Sequence, residues 1–486
     1  MFAAMNFGLS KTAGWIVFSL ITLAFIICKL PDLSLPYFWD EAGVYAPGAL
    51  AMKDNGTISI LPAALDPEYS RGHPLLAVAS YAAFFKFFGD GHVQGHIFSL
   101  LLAFLTLLLT YQYTAKIFSR MTGLIAVLLL AFTPVFYAMA AIVMPEMMLT
   151  LFTVWALFAV IQNRWGQYAL ASSLAMMCKE SAIVIPAAVL FFLFIRSLQH
   201  RDFFSWKRWQ LFLIAIVPLV VFGLFLVVQK AQNGWYFFPL HVGYIRHDVP
   251  SILNSIWYIT QDVFIRWGRW LAGIFFIMGL VAATRRKAQQ PARDAALLFT
   301  SFIALSILFA ALNFYLTRYL LYVFPFMMVL AAYGALSLLG KFRPAASWSM
   351  AAAFSVAATL LAWKHMDLKK FNDTADMSYR HTVLTQKEAI EWIEAQPWSN
   401  STIGVVFPNW QAVLDPRYGF VKKAFKIDVN CEHDIPYGFL FQLNDEPIPL
   451  WRNKEYKILK QWDHLFVHLK VVKFHYDYPT GYDTPN

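Results

Sequence analysis

Pro36-Tyr37-Phe38-Trp39-Asp40-Glu41-Ala42 places two adjacent carboxylates shortly after an apolar run, Gly14 to Cys28. A charge inside a bilayer is costly and one at its edge costs little. Acids at the exit of a membrane span are therefore candidates for chemistry at the membrane surface. The rest of the chain supports that setting. Of 486 residues, 59% are hydrophobic and only 14% charged, with a mean hydropathy of +0.52. An ordinary soluble fold has no use for so much apolar surface, and the composition is that of a polytopic α-helical membrane protein.

Apolar runs long enough to cross a bilayer core number about eleven. They lie near 12–30, 93–115, 121–143, 147–162, 165–178, 181–197, 210–229, 266–283, 295–314, 319–338 and 346–364. Cations gather in alternate loops: Lys116 and Arg120; Arg164; Arg196, Arg201, Lys207 and Arg208; Arg285, Arg286, Lys287 and Arg293; Lys341 and Arg343. Only Asp202 and Asp294 offset them. The positive-inside rule assigns these loops and the N-terminus to the cytoplasm. The acid pair, the loops 31–92 and 230–265 and everything from about 365 onward then fall outside. The start lacks a small-residue cleavage site and reads as an uncleaved first span. The net charge of +10 thus reports topology, and with no long basic tract it does not indicate nucleic acid. The runs 165–178 and 181–197 rise only about 21–26 Å, against a core of roughly 30 Å. Lys179-Glu180-Ser181 between them is expected slightly below the outer surface, near headgroup-phosphate depth.

Residues 365–486 read as a small outer α/β domain beside a membrane domain over 1–364. Helical periodicity covers Gln386 to Ile393, and Thr402 to Phe407 reads as a buried strand. Tyr437 to Phe441 and Leu469 to Phe474 supply further strands. Asn55, Asn372 and Asn400 open N-x-S/T sequons, a pattern short enough to recur by chance. Cys28, Cys178 and Cys431 have no metal-type spacing, and a Cys178–Cys431 disulfide stays open.

Four charged features converge on the outer face: Asp40-Glu41, Pro145-Glu146, Lys179-Glu180 and Arg318-Tyr319. Each alone has an ordinary explanation. Glu146 suits a helix start, where the macrodipole favours an anion, and Lys179 and Arg318 suit snorkelling to headgroups. Together they assemble acids and bases at the level of a lipid-linked phosphate. The loop Asp66-Pro67-Glu68-Tyr69-Ser70-Arg71-Gly72-His73-Pro74 adds Arg71 and His73. The apolar run 75–88 that follows is amphipathic enough to lie along the surface. His241 opens the second outer loop among aromatics, a setting commoner for an interfacial histidine than for a metal ligand. Asp262, Arg266 and Arg269 carry weaker signals.

The pattern resembles the GT-C glycosyltransferases, within them the bacterial branch similar to protein O-mannosyltransferases and the lipid A aminoarabinose transferase. The resemblance rests on Asp40-Glu41, Arg71-Gly72-His73-Pro74-Leu75-Leu76, Phe88-Gly89, Met144-Pro145-Glu146-Met147, Cys178-Lys179-Glu180-Ser181 and Arg318-Tyr319-Leu320-Leu321 with Pro325. These short motifs spread over residues 37–330, and their order and placement carry the match. It implies a polyprenyl-phosphate monosaccharide donor, a lipid, glycan or protein acceptor on the outer face, and inversion at the anomeric carbon. It also implies a bacterial inner-membrane enzyme with a periplasmic active site. By motif, Asp40 is the expected general base, with Glu41 and Glu146 as further catalytic acids. Lys179, Arg318 and Arg71 are the expected donor-phosphate ligands, and His73, Glu180, His241 and Tyr319 the remaining site candidates. The match departs at Gly72-His73, where relatives often carry an acidic-basic pair, and at Glu146, where some carry Asp. The resemblance demands no cofactor; a divalent metal is left open, with no ligand set assigned.

The chemistry fits independently of the resemblance. A hydroxyl is a poor nucleophile until a positioned base takes its proton, and a departing prenyl phosphate needs preorganised cations. Asp40 and the cations are expected on opposite sides of the anomeric carbon. The rival class is a transporter or flippase of lipid-linked sugars, which places ionisable groups near the bilayer midplane. Here seven of the spans have interiors free of Asp, Glu, Lys and Arg, with only Asp294 and Arg318 at the margins.

Overall fold

The structure is a computed structural model, describing residues 9–202, 205–285, 288–339, 344–364, 370–429, 435–444 and 455–474. Arg286, Lys287, Lys341, Arg343, Cys431 and the start of the tail at 365 lie outside the described residues.

Helical segments lie on every predicted span. Among the described residues, six are long and apolar enough to cross a membrane: Lys11–Ser34, His92–Ile117, Glu180–His200, Trp206–Asn233, Gln290–Leu312 and Thr317–Leu338. Arg120–Ala131, Pro145–Ile161, Trp165–Cys178 and Trp270–Thr284 are shorter. Local chemistry sets their ends. Ser10 caps the first helix by accepting from the Ala13 N–H at 3.0 Å. Gly234 closes Trp206–Asn233 in the left-handed conformation.

Two predicted spans are remodelled. The run 121–143 breaks at Thr133-Pro134, because proline lacks an N–H and biases the preceding residue to extended geometry. A short helix Pro134–Met139 follows, and the chain then runs irregularly to Pro145. The run 266–283 turns at Arg266–Arg269, so its helix begins at Trp270. The loop before it carries an unexpected amphipathic helix, Val249–Phe264.

Within the apolar helices, hydroxyls bond the carbonyl four residues back. Thr106, Thr110, Thr150 and Ser306 do so at 2.7–2.8 Å, which satisfies a polar group without solvent. Trp270–Thr284 and Phe324–Leu339 meet backbone to backbone. A Cβ on Gly279 would lie 2.1 Å from the Leu330 carbonyl, and one on Gly334 would lie 2.0 Å from that of Phe275. Only glycines permit that approach.

The tail is a mixed five-stranded sheet in the order β2-β1-β3-β5-β4, with β1 Ile403–Val405, β2 Ile427–Val429, β3 Tyr437–Leu443, β4 Tyr456–His464 and β5 Val467–Phe474. β1 pairs parallel with β2 and β3; β3–β5 and β5–β4 are antiparallel, with an irregularity between Ile458 and Lys460. The helix Tyr379–Glu394 packs its apolar stripe, including Val383, Ile390 and Ile393, into this layer. The sheet bears out the strands expected at 402–407, 437–441 and 469–474.

The tail sits directly on the segment holding the acid pair. The Tyr37 N–H donates to the Tyr418 carbonyl at 2.9 Å. Phe407 meets Trp39 edge-on with centroids 4.6 Å apart, and Phe371 stacks on Trp39 at 5.6 Å. Arg417 bonds Asp415, and it reaches Asp54 at 2.8 Å and Asp90 at 3.2 Å on the loop that follows the first span, where Lys53 also pairs with both. Burial opposes ionisation of Asp54 and Asp90, but hydrogen bonds from Arg417 and Lys53 outweigh it. Both carboxyls lie below their ordinary range.

Candidate active site

The acid pair diverges as soon as it is formed. Trp39 adopts a positive φ of 48°, and Glu41–Tyr45 forms one π-helical turn. Such bulges favour functional sites. Glu41 turns inward and is 1% exposed. Its Oε2 accepts from the Phe38 N–H at 2.9 Å, and its Oε1 from the Val143 N–H. His96 bridges Glu41 Oε1 at 3.2 Å and the Leu33 carbonyl at 3.0 Å. Glu41 therefore latches the acid-bearing segment to the irregular stretch before Pro145. That geometry fixes the backbone that carries Asp40.

Asp40 turns the other way, toward Arg318. Arg318 is 2% exposed. Its Nη2 donates to Asp40, and its Nη1 donates to Asp373 and, at 3.0 Å, to Thr374 Oγ1. Arg318 thus lies directly against Asp40. Behind it, Glu146 and Lys179 form a second buried pair, with Nζ 2.7 Å from Oε1. Pro145 opens the helix and leaves Glu146 in its first turn. The Lys179 ammonium lies 4.0 Å from the centre of the Tyr319 ring, and the Arg318 guanidinium 5.4 Å. Glu146 Oε2 and Arg318 Nε are buried without a hydrogen-bond partner among the described residues.

A second cluster adjoins this one. His73 Nδ1 lies 2.8 Å from Glu180 Oε2, and the His73 and His241 rings are 4.8 Å apart. Gly72, at φ 72°, makes the approach feasible: a Cβ there would lie 2.8 Å from Trp235 and 2.9 Å from Phe238. One ligand atom from each of His73, Glu180 and His241 lies within 4.8 Å of the others. Burial, with His73 adding to it, lowers His241 to about 4, so its ring is neutral and a competent ligand near neutral pH. Two imidazoles and one carboxylate match the donor set of open zinc sites. Arg71, half-buried beside these residues, has no ion pair among the described residues.

Asp262 belongs elsewhere. It accepts from Trp267 at 2.8 Å, Thr317 at 2.8 Å, Arg269 at 3.3 Å and Tyr315, and so pins the helix Val249–Phe264 to the segment leading into Arg318.

The sequence reading missed Asp373 and Thr374. The signal available there was the sequon Asn372-Asp373-Thr374. In the fold, Thr374 is fully buried against Arg318, and the Asn372 amide donates to Asp376 at 3.0 Å. Cys178 is buried and unbonded to any other described cysteine, and Cys431 lies outside the described residues.

Residues 72–240 match the family described as dolichyl-phosphate-mannose-protein mannosyltransferase. No curated protein matches the sequence. Among solved structures, ArnT from Cupriavidus metallidurans bound to undecaprenyl phosphate is similar at 15% identity and a TM-score of 0.62, over 95% of this chain and 98% of that one. Its apo state is similar at 14% identity and a TM-score of 0.63, with the same coverage. An oligosaccharyltransferase of Archaeoglobus fulgidus, in complex with Zn and sulfate, matches at 14% identity and a TM-score of 0.50. That match spans 82% of this chain and 60% of the archaeal one. These findings agree with the resemblance read from the sequence: the chain carries the fold of GT-C membrane glycosyltransferases.

Proposed function

We propose, from that fold, that the chain transfers a monosaccharide from a polyprenyl-phosphate donor to an acceptor on the periplasmic face of a bacterial inner membrane. The membrane domain is assigned to 1–364 and a periplasmic domain to 365–486, with the orientation resting on the cation-rich loops. The observation that carries the reading is the convergence of Asp40, Arg318, Glu146 and Lys179 from four separate parts of the chain. A fully buried Glu146–Lys179 pair beside an enclosed Arg318 is difficult to account for by stability alone, because desolvation offsets much of the gain from a buried pair.

In this reading Asp40 takes the acceptor hydroxyl's proton as its oxygen attacks the anomeric carbon. The C–O bond to the prenyl phosphate breaks on the opposite face, with inversion. Lys179 and Arg318 stabilise the departing phosphate, and Glu146 holds Lys179 in place. His73, Glu180 and His241 fit a divalent ion, which would supply further positive charge to the phosphate oxygens. Arg71 lies close enough to this cluster to assist.

Purified protein given labelled polyprenyl-phosphate sugars tests the activity, and comparing envelope glycolipids and glycoproteins of a deletion strain by mass spectrometry identifies the product. A deletion strain with unaltered glycans, together with protein inert toward every such donor, would overturn the assignment. Orientation is tested by impermeant labelling of single cysteines at 40, 179 and in the tail; protection of the tail in spheroplasts would reverse it.

A further inference from the structure

Arg318 is already engaged on both of its terminal nitrogens. One guanidinium faces two carboxylates, Asp40 and Asp373, while the neighbouring Glu146 and Lys179 cancel each other. The Arg318–carboxylate group therefore sums to minus one, and a prenyl phosphodiester brings another negative charge. Like charges brought together at a binding surface oppose binding, and both Arg318 Nη groups are occupied, so the phosphate reaches them only if one carboxylate withdraws. We infer that Asp373 is a built-in anion standing in the place of the donor phosphate, and that donor binding displaces it. This rests on the transferase reading.

Several observations single out Asp373 over Asp40. Asp40 is built into the membrane part, at the head of the π-helical turn that Glu41 latches from within. Asp373 comes from the tail, in a segment tied up by its own contacts. Asn372 donates to Asp376 at 3.0 Å through its side chain and to Ser378 at 3.1 Å through its backbone, and the Ser378 N–H donates to Asp376 at 2.7 Å. That knot holds Asp373 at φ 53°, a conformation costly for a residue with a side chain. Burial also pushes the Asp373 carboxyl above its ordinary range, with Arg318 opposing and Asp40 adding to the rise. The contact is thus held at a cost in backbone strain and desolvation, which suits an anion meant to be exchanged. The rest of the tail stays anchored through Arg417, Tyr418 and Phe407 when this one carboxylate lets go. Arg318 is enclosed, while the side chains of Asp40 and Asp373 are 28% and 18% exposed, so the guanidinium is approached from their side.

The test measures binding of labelled undecaprenyl phosphate to the full-length protein in nanodiscs. Asp373→Asn keeps an oxygen for Arg318 and removes the charge; it should bind about tenfold tighter than wild type. Asp373→Glu should bind as wild type does, and Thr374→Val, which removes only an uncharged partner, should not tighten binding. In wild-type protein, hydrogen exchange over 371–378 should rise when the lipid is added, a readout independent of any variant. Unchanged or weaker binding by Asp373→Asn, or unchanged exchange, would show that Asp373 only positions Arg318 and would overturn the inference. Absence of binding by wild type and all variants, each folded, would instead sink the transferase reading beneath it.

Discussion

Lys179 Nζ donates to Glu146 Oε1 at 2.7 Å, and the two residues are 6% and 1% exposed. Removing one partner of such a pair leaves a buried uncompensated charge, at about 3–5 kcal/mol. Lys179→Met and Glu146→Leu should each lower the unfolding midpoint in detergent sharply, whereas the double variant should regain most of it and stay inactive. Single variants as stable as wild type would show that the pair is well solvated.

Asp40→Asn preserves shape and still offers an oxygen to Arg318, but the amide cannot take a proton. Turnover should fall about 10²–10⁴-fold with folding unchanged. Transfer within a few-fold of wild type would remove Asp40 from the base role and make Glu146 the next residue to test.

Glu41→Gln should behave differently. Its carboxylate oxygens accept from Phe38 and Val143, and the amide replaces one acceptor with a donor. A mispaired buried group costs about 1–3 kcal/mol, so the first effect is a lower unfolding midpoint, with loss of activity following from misplacement of Asp40. A variant of wild-type stability that lacks turnover would return Glu41 to the catalytic group.

His73, Glu180 and His241 should retain zinc through purification. Elemental analysis should find it in wild-type protein and not in His73→Ala or His241→Ala, whatever their activity. Wild-type protein free of metal after exposure to zinc would leave His73 and Glu180 as a simple hydrogen-bonded pair.

Docking of the tail should weaken in acid. Asp54 and Asp90 lie below their ordinary value of 3.8 in the fold, so their contribution is full above that value and fades as the pH drops through the folded values. Limited proteolysis of the tail should therefore accelerate below about pH 4, and Arg417→Ala should show the same susceptibility at neutral pH. Equal cleavage of wild type and Arg417→Ala at neutral pH would count against the clamp.

Membrane character was legible in the sequence because it depends on additive quantities, apolar length and loop charge, that need no partner. The positions of Asp40, Glu146, Lys179 and Arg318 were legible for the same reason, since a charge at the end of an apolar run is conspicuous. Helix breaks at Thr133-Pro134 and Met144-Pro145 follow from local stereochemistry. Pairing was not legible. Asp40 and Arg318 are 278 positions apart, Glu146 and Lys179 only 33, and nothing local distinguishes a cation that reaches a carboxylate from one that snorkels. Adjacent Asp40 and Glu41 look equivalent as letters, yet one faces Arg318 and the other is sealed inside by the Val143 N–H. Asp373 and Thr374 could be read only as part of a sequon, because their meaning comes from the tail folding back over the loop that follows the first span. The order of apolar runs and charges determined that the chain enters a membrane and which charges stand at the ends of its apolar runs. Which charges meet was decided by tertiary packing, since an ion pair depends on distances of a few ångströms that the order of residues does not encode.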